Sequence, residues 1–95
     1  MSDVVDEAVT MLNSKLGGGF DGTAKFVIED EGSILLDEQG ARAGDDEADV
    51  TMTADADTFR DILEGDLDPT AAFASGRLKI DGDISAAMRL APALA

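Results

Sequence analysis

The sequence predicts an α+β domain of two layers, a five-stranded, mainly antiparallel sheet with its helices gathered on one face. Three observations predict it. Five short stretches alternate apolar and polar residues with the period of a strand, and four others carry helical spacing or helix caps. The connections between the first four strand-like stretches are short, which favours antiparallel pairing. Each strand presents one apolar face, and that face requires helices to cover it. At 95 residues the chain holds one core, so residues 1–95 are expected to form a single domain.

Taken in order, Ser2 is a candidate N-cap for a first helix, with Asp3, Asp6 and Glu7 near its positive end. Val5, Ala8, Val9 and Leu12 fall on one stripe, Lys15 sits in the last turn, and Gly17-Gly18-Gly19 stops the helix. The triple glycine follows a helix and no Gly-Lys-Ser/Thr comes after it, so it does not read as a phosphate loop. From Thr23 to Asp30, Ala24, Phe26 and Ile28 point inward while Lys25 and Glu29 point outward. Glu31-Gly32 turns the chain into a second strand, Ser33 to Asp37, with Ile34 and Leu36 on one face. Gln39-Gly40 and Gly44 bracket a short third strand at 41–43, and Asp45-Asp46-Glu47 forms an acidic turn.

Ala48 to Thr53 reads as the fourth strand, with Ala48, Val50 and Met52 inward. Asp55 or Asp57 caps a helix in which Phe59, Ile62 and Leu63 share a face, and Gly65 ends it. Asp68 caps a second short helix whose first residue is Pro69, and Gly76 supplies the left-handed residue that stops it. Arg77 to Asp81 alternates as a fifth strand with Leu78 and Ile80 on one face. Gly82 turns the chain and Asp83 caps a terminal helix with a stripe of Ile84, Ala87, Met88 and Ala91, and Pro92 argues against further helix.

Twenty-one acidic residues stand against seven basic ones, a formal net charge of −14. That balance argues against nucleic acid, whose binding depends on neutralising phosphates with Lys and Arg, and against docking on anionic membranes. It reads as a solubilising surface. No stretch approaches the roughly 20 apolar residues that span a bilayer, and neither terminus looks like a targeting signal, so a cytoplasmic location is the expectation.

The run Asp68-Pro69, Ala72-Phe73, Gly76, Leu78-Lys79-Ile80-Asp81-Gly82-Asp83 and Ala87-Met88-Arg89-Leu90, preceded by Ala48 to Thr53 and Gly65, resembles the sterol carrier protein type 2 family of lipid-binding domains. The matching residues cover nearly half the chain, and the segments before them keep the family's order. The resemblance implies a five-stranded sheet with helices on one side enclosing an apolar lipid tunnel. Two features depart from the family pattern: Ile34 or Leu35 stands near the position of a frequent Trp, and basic residues are sparse. The second weighs against acyl-CoA phosphates and anionic surfaces, and no residue selects a sterol over a fatty acyl chain.

The chain has no His, Cys, Tyr or Trp, so the usual general base at neutral pH and the best nucleophile are both missing. Asp pairs such as Asp66 with Asp68, or Asp81 with Asp83, already serve turns and caps. Asp55-Ala56-Asp57 starts like a calcium loop, but Phe59 stands where the third ligand belongs. No catalytic residue, cofactor or metal is expected, and the chain does not read as an enzyme.

What remains is apolar surface. Phe26, Ile28, Met52, Phe59, Ile62, Leu63, Phe73, Leu78, Ile80, Ile84 and Met88 are expected to face the space between helices and sheet. The resemblance implies that such a set lines a lipid cavity, with Met11, Ala87, Leu90 and Ala91 near its mouth beneath a lid-like terminal helix. The leading expectation is a carrier for a fatty acyl, phospholipid or sterol-like ligand. The alternative is an interaction module with a filled core, without a physiological lipid ligand, that uses its sheet edge or terminal helix to form a homodimer or to dock onto an enzyme, since so short a chain has few bulky apolar residues with which to wall a tunnel.

Overall fold

The computed structural model describes residues 3–17 and 19–94, excepting the side chain of Ala93; the expected cap Ser2 and the central Gly18 lie outside them. The elements follow the expected order: α1 (Asp3–Leu16), β1 (Ala24–Ile28), β2 (Gly32–Asp37), β3 (Gly40–Ala43), β4 (Val50–Ala54), α2 (Ala56–Glu64), α3 (Pro69–Ala74), β5 (Lys79–Gly82) and α4 (Ile84–Leu94). The five strands make one sheet in the order β3-β2-β1-β4-β5.

Local chemistry sets most of the boundaries. Asp55 caps α2 by accepting from the Thr58 amide at 2.7 Å, and Gly65 closes it at φ 84°. Asp68 caps α3 by accepting from the Thr70 amide at 2.9 Å, ahead of Pro69. Asp83 accepts from the Ala86 amide at 3.2 Å at the start of α4. Each carboxylate satisfies a helix donor that has no partner within the helix.

The sheet is mixed. β1 pairs antiparallel with β2, β2 with β3 and β4 with β5, but β1 and β4 run parallel. Antiparallel pairing throughout the first four strands was the expectation, and residues 44–49 explain the difference. They do not turn the chain back on β3; they cross the outer face of β2 and β1 to start β4 beside Ala24. Three strand spacings are about 14 Å, and six extended residues reach about 20 Å. Lys25 Nζ holds the crossing at Asp45 Oδ1 (3.1 Å), and the Asp49 amide donates to Thr23 Oγ1 at 2.9 Å. Gly44 passes so close over Leu35 that a Cβ there would lie 2.7 Å from its Cδ1. Leu35 is thereby buried on the face away from the helices.

Two further expectations are corrected at the C-terminal end. Gly82 does not turn the chain after the strand; it is the last residue of β5, opposite Val50 at φ 97°, where a Cβ would meet the Asp49 carbonyl at 2.5 Å. Pro92 does not end the helix, which runs on to Leu94. In the last turn a proline forfeits one backbone hydrogen bond, whereas burying Leu94, 2% exposed, is worth about 1.5–3 kcal/mol.

The core lies between the helices and the inner face of the sheet. Across the strands, Ala43, Ile34, Phe26, Met52 and Ile80 form one register row. α1 adds Val5, Ala8 and Leu12, and α2 adds Phe59, Ile62 and Leu63. α4 turns a different stripe inward from the expected one: Ala86, Ala87, Leu90 and Leu94 are buried, while Ile84 and Met88 are exposed. Apolar residues occur around most of this helix, so spacing alone did not choose a face. The two alanines let the helix sit close to the sheet, and the two leucines supply the bulk.

Candidate functional site

Of the eleven residues expected around an interior cavity, Phe26, Ile28, Met52, Phe59, Ile62, Leu63 and Leu78 are buried between sheet and helices, and Ile80 is half-buried. Phe73, Ile84 and Met88 are not interior: they are 45%, 46% and 61% exposed. α3 explains the first of these, since its six residues bury only Pro69 and Ala72. The rotation of α4 explains the other two. Leu90, expected near a mouth, is fully buried in the core.

The buried set does not surround one open tunnel. It borders two small apolar clefts. The first lies between α1 and α2, where Ala8, Met11, Ile28, Phe59 and Leu63 enclose about 10 Å³, with Glu7 and Arg60 also in the wall. The second lies among α3, β5 and α4, where Met52, Phe73, Leu78, Ile80, Met88 and Ala91 enclose about 30 Å³. Such volumes accommodate about a water or two, against about 300–1,000 Å³ for small-molecule pockets. Between the two sets stands an aromatic pair. Phe59 of the first cleft meets Phe26 edge-on, with ring centroids 5.6 Å apart and planes at 84°, and Phe26 is the register neighbour of Met52 in the second.

The interior layer is almost wholly apolar. Thr58 is the only buried polar residue among the described residues, and its hydroxyl lies 3.3 Å from Arg77 Nη2. Arg77 also lies 3.6 Å from Asp61, so it fastens α2 to the turn that follows α3. Hydrogen bonds from Thr58, helped by the charge of Arg77, hold the Asp55 carboxyl below its usual value. Arg89 fastens α4 to the loop after α1: it donates to the Asp21 carbonyl at 3.4 Å and lies 5.8 Å from the ring centre of Phe20. Arg60 of α2 reaches Glu7 of α1 at 3.8 Å.

The larger openings are polar and lie elsewhere. One, of about 420 Å³, is a surface groove along Thr23 and residues 37–39, with Arg42 bonded across it to Asp37 at 2.8 Å. That bond, with the Gln39 amide, lowers the pKa of Asp37. Asp61, Glu64 and Asp66 bring three carboxylate oxygens within 4.8 Å of one another, but Ca²⁺ takes six to eight oxygens, and these side chains lie in contact with solvent. No described helix is long and apolar enough to cross a membrane.

This arrangement of sheet, helices and apolar layer has a counterpart among known proteins. The sequence matches the model of the SCP-2 sterol transfer family over residues 13–95. The chain belongs to that family. Hydroxysteroid dehydrogenase-like protein 2 of Bos taurus is 41% identical over 88 residues, which cover 93% of this chain and 20% of that protein. The chain thus spans about a fifth of the length of this curated relative. Sterol carrier protein-2 of Aedes aegypti, solved in complex with palmitate, superposes with a TM-score of 0.79 at 23% identity, covering all of this chain and 97% of that one. Sterol carrier protein 2 like 2 of the same organism superposes with a TM-score of 0.78 at 19% identity, covering 94% of each chain. At these identities the likeness establishes the fold, which is the α+β architecture expected of the family.

The apolar periodicity of the strands and α2 locates the layer but carries no sign of what borders it. Glu7 and Arg60 lie far apart in sequence and meet only because α1 and α2 are neighbours. Asn13, in the last turn of α1, bonds to the edge strand β3. The one available signal for Asn13 was its place in the last turn of a helix, where a polar side chain next to an apolar stripe has an unpaired strand within reach.

Proposed function

We propose that this chain is a non-catalytic lipid carrier that holds a fatty acyl, phospholipid or sterol-like ligand between the sheet and the helices. The observation that carries the reading is the position of the two apolar clefts. They lie at opposite sides of one continuous apolar layer, separated only by Phe26, Phe59 and their neighbours. Membership of the sterol transfer family and the palmitate held by the Aedes aegypti protein support it.

A ligand enters by displacing helices rather than by filling a preformed hole. The least anchored helix of the layer is α3, which packs against α4. α3 buries only Pro69 and Ala72, and half of the four buried anchors of α4 are alanines. Separating them exposes Met52, Leu78 and Ile80. A ligand then repays that exposure at about 25 cal/mol for each Å² of apolar surface it buries. Met52 and Met88 suit the wall, because a flexible thioether adapts to chains of different shape.

One observation favours the second reading, a filled-core module that pairs with its own copy. The interior is closed, while Phe73, Ile84 and Met88 remain exposed. Titration with a fluorescent polyene fatty acid, together with the oligomeric state at several concentrations, separates the two. Saturable one-to-one binding at micromolar lipid supports the carrier. No binding at that concentration, with a concentration-dependent dimer, supports the module and overturns the carrier.

A further inference from the structure

We infer that Arg60 is a head-group subsite, which takes the carboxylate of an ionised long-chain acid at the α1–α2 cleft and exchanges Glu7 for the ligand. The inference rests on the lipid-binding reading and assigns the direction in which the ligand lies. Of the two apolar clefts, only the one between α1 and α2 has charged residues in its wall, and they are Glu7 and Arg60. The other cleft is walled by apolar side chains and Thr70. An amphiphile lying through the apolar layer therefore has its head at Arg60 and its tail toward Met52 and Met88.

The pairing of Arg60 suits exchange. Its contact with Glu7 is 3.8 Å long, and the two side chains are 45% and 54% exposed. Such exposed pairs contribute little to stability, so releasing one is cheap. The other arginines are held closer: Arg42 at 2.8 Å by Asp37, Arg77 at 3.3 Å by Thr58, and Arg89 at 3.4 Å by the Asp21 carbonyl. A carboxylate that arrives with its chain in the apolar cleft sits partly out of water and can meet the planar guanidinium with two parallel hydrogen bonds. Glu7 offers the same group from a side chain in solvent.

The inference runs against the overall charge. A net −14 disfavours any anion at long range. Arg60 supplies a local exception at the apolar cleft, so preference for an acid over a neutral lipid should depend on this one residue.

The test measures displacement of a fluorescent polyene fatty alcohol by hexadecanoate, hexadecanol and hexadecylamine at pH 8 in moderate salt. It uses the wild type, Arg60→Gln and Glu7→Gln. Arg60→Gln should weaken hexadecanoate about tenfold, the value of one charge-assisted contact, and leave hexadecanol unchanged. Glu7→Gln should strengthen hexadecanoate several-fold, because it frees Arg60 and removes a like charge. Equal loss of both lipids in Arg60→Gln, or no loss of either, overturns the subsite while leaving the carrier reading intact. Tighter wild-type binding of hexadecylamine than of hexadecanoate overturns it in favour of Glu7. Binding of none of the three by the wild type overturns the carrier reading, and the subsite with it.

Discussion

Phe26 and Phe59 meet edge-on, with ring centroids 5.6 Å apart, between the two apolar clefts. Both rings are nearly inaccessible to solvent, so the pair is structural and also divides the space available to a ligand. Phe59→Ala should cost about 3–5 kcal/mol, a large part of the stability of a domain this size. Phe59→Leu should cost about 1–1.5 kcal/mol and join the clefts. Denaturant unfolding and lipid titration of Phe59→Leu check this together: stability should fall while affinity for a long acyl chain rises. Reduced stability with reduced affinity would show that the ring forms part of the binding wall rather than a partition.

Asn13 protects a sheet edge. Its amide donates to the Ala41 carbonyl at 3.1 Å and accepts from the Ala41 amide at 2.8 Å, so it pairs with β3 much as another strand would. Edge strands left open invite association with other chains. Asn13→Ala should cost about 1 kcal/mol and increase self-association. Unfolding curves and light scattering measure the two effects, and a variant as stable and as monomeric as the wild type would contradict this role.

Acid should destabilise the fold partly through Asp55. Its folded pKa is lowered, so its contribution is fully present above the unfolded value near 3.8 and is lost as pH falls through the lower folded value. Asp55→Ala should cost about 1 kcal/mol at pH 7. The gap between variant and wild type should close below about pH 4. Thermal unfolding from pH 7 to pH 2.5 reads the difference, and a constant gap would contradict the assignment.

Salt should stabilise the chain. Among the described residues, ion pairs engage Asp37, Asp45, Asp61 and Glu7, and over the whole sequence 21 acidic residues stand against seven basic ones, so like-charge repulsion dominates. Raising KCl from about 0.1 M to about 1 M shortens the screening length from about 10 Å to about 3 Å, which relieves this self-repulsion. The melting temperature should therefore rise. A fall would mean that the few ion pairs outweigh the repulsion.

Much of this structure was legible because its boundaries are made by local chemistry. Asp55, Asp68 and Asp83 cap helices, Gly65 and Gly76 end them, and the period-two stretches place every strand within a few residues. The parallel β1–β4 pairing was not legible, because residues 44–49 look the same whether they turn or cross. The rotation of α4 was hidden for a related reason: a helix apolar on most sides does not declare its buried face. The candidate site divided along the same line. Residues on strands and on the strongly amphipathic α2 were placed correctly as interior, whereas Phe73, Ile84 and Met88 were not. The Arg60–Glu7 contact depends on how two helices pack, which no local pattern encodes.

The methionines provide the most direct test of the carrier reading. Met11 borders the first cleft, and Met52 and Met88 border the second. Methyl spectra of protein labelled at methionine, recorded during titration with a sixteen-carbon acid, observe both clefts at once. The account predicts that Met11, Met52 and Met88 shift together and saturate at one equivalent. Spectra in which buried Met52 stays unmoved at tens of micromolar lipid, while only exposed Met88 responds, would mean surface adsorption and would contradict an interior lipid site.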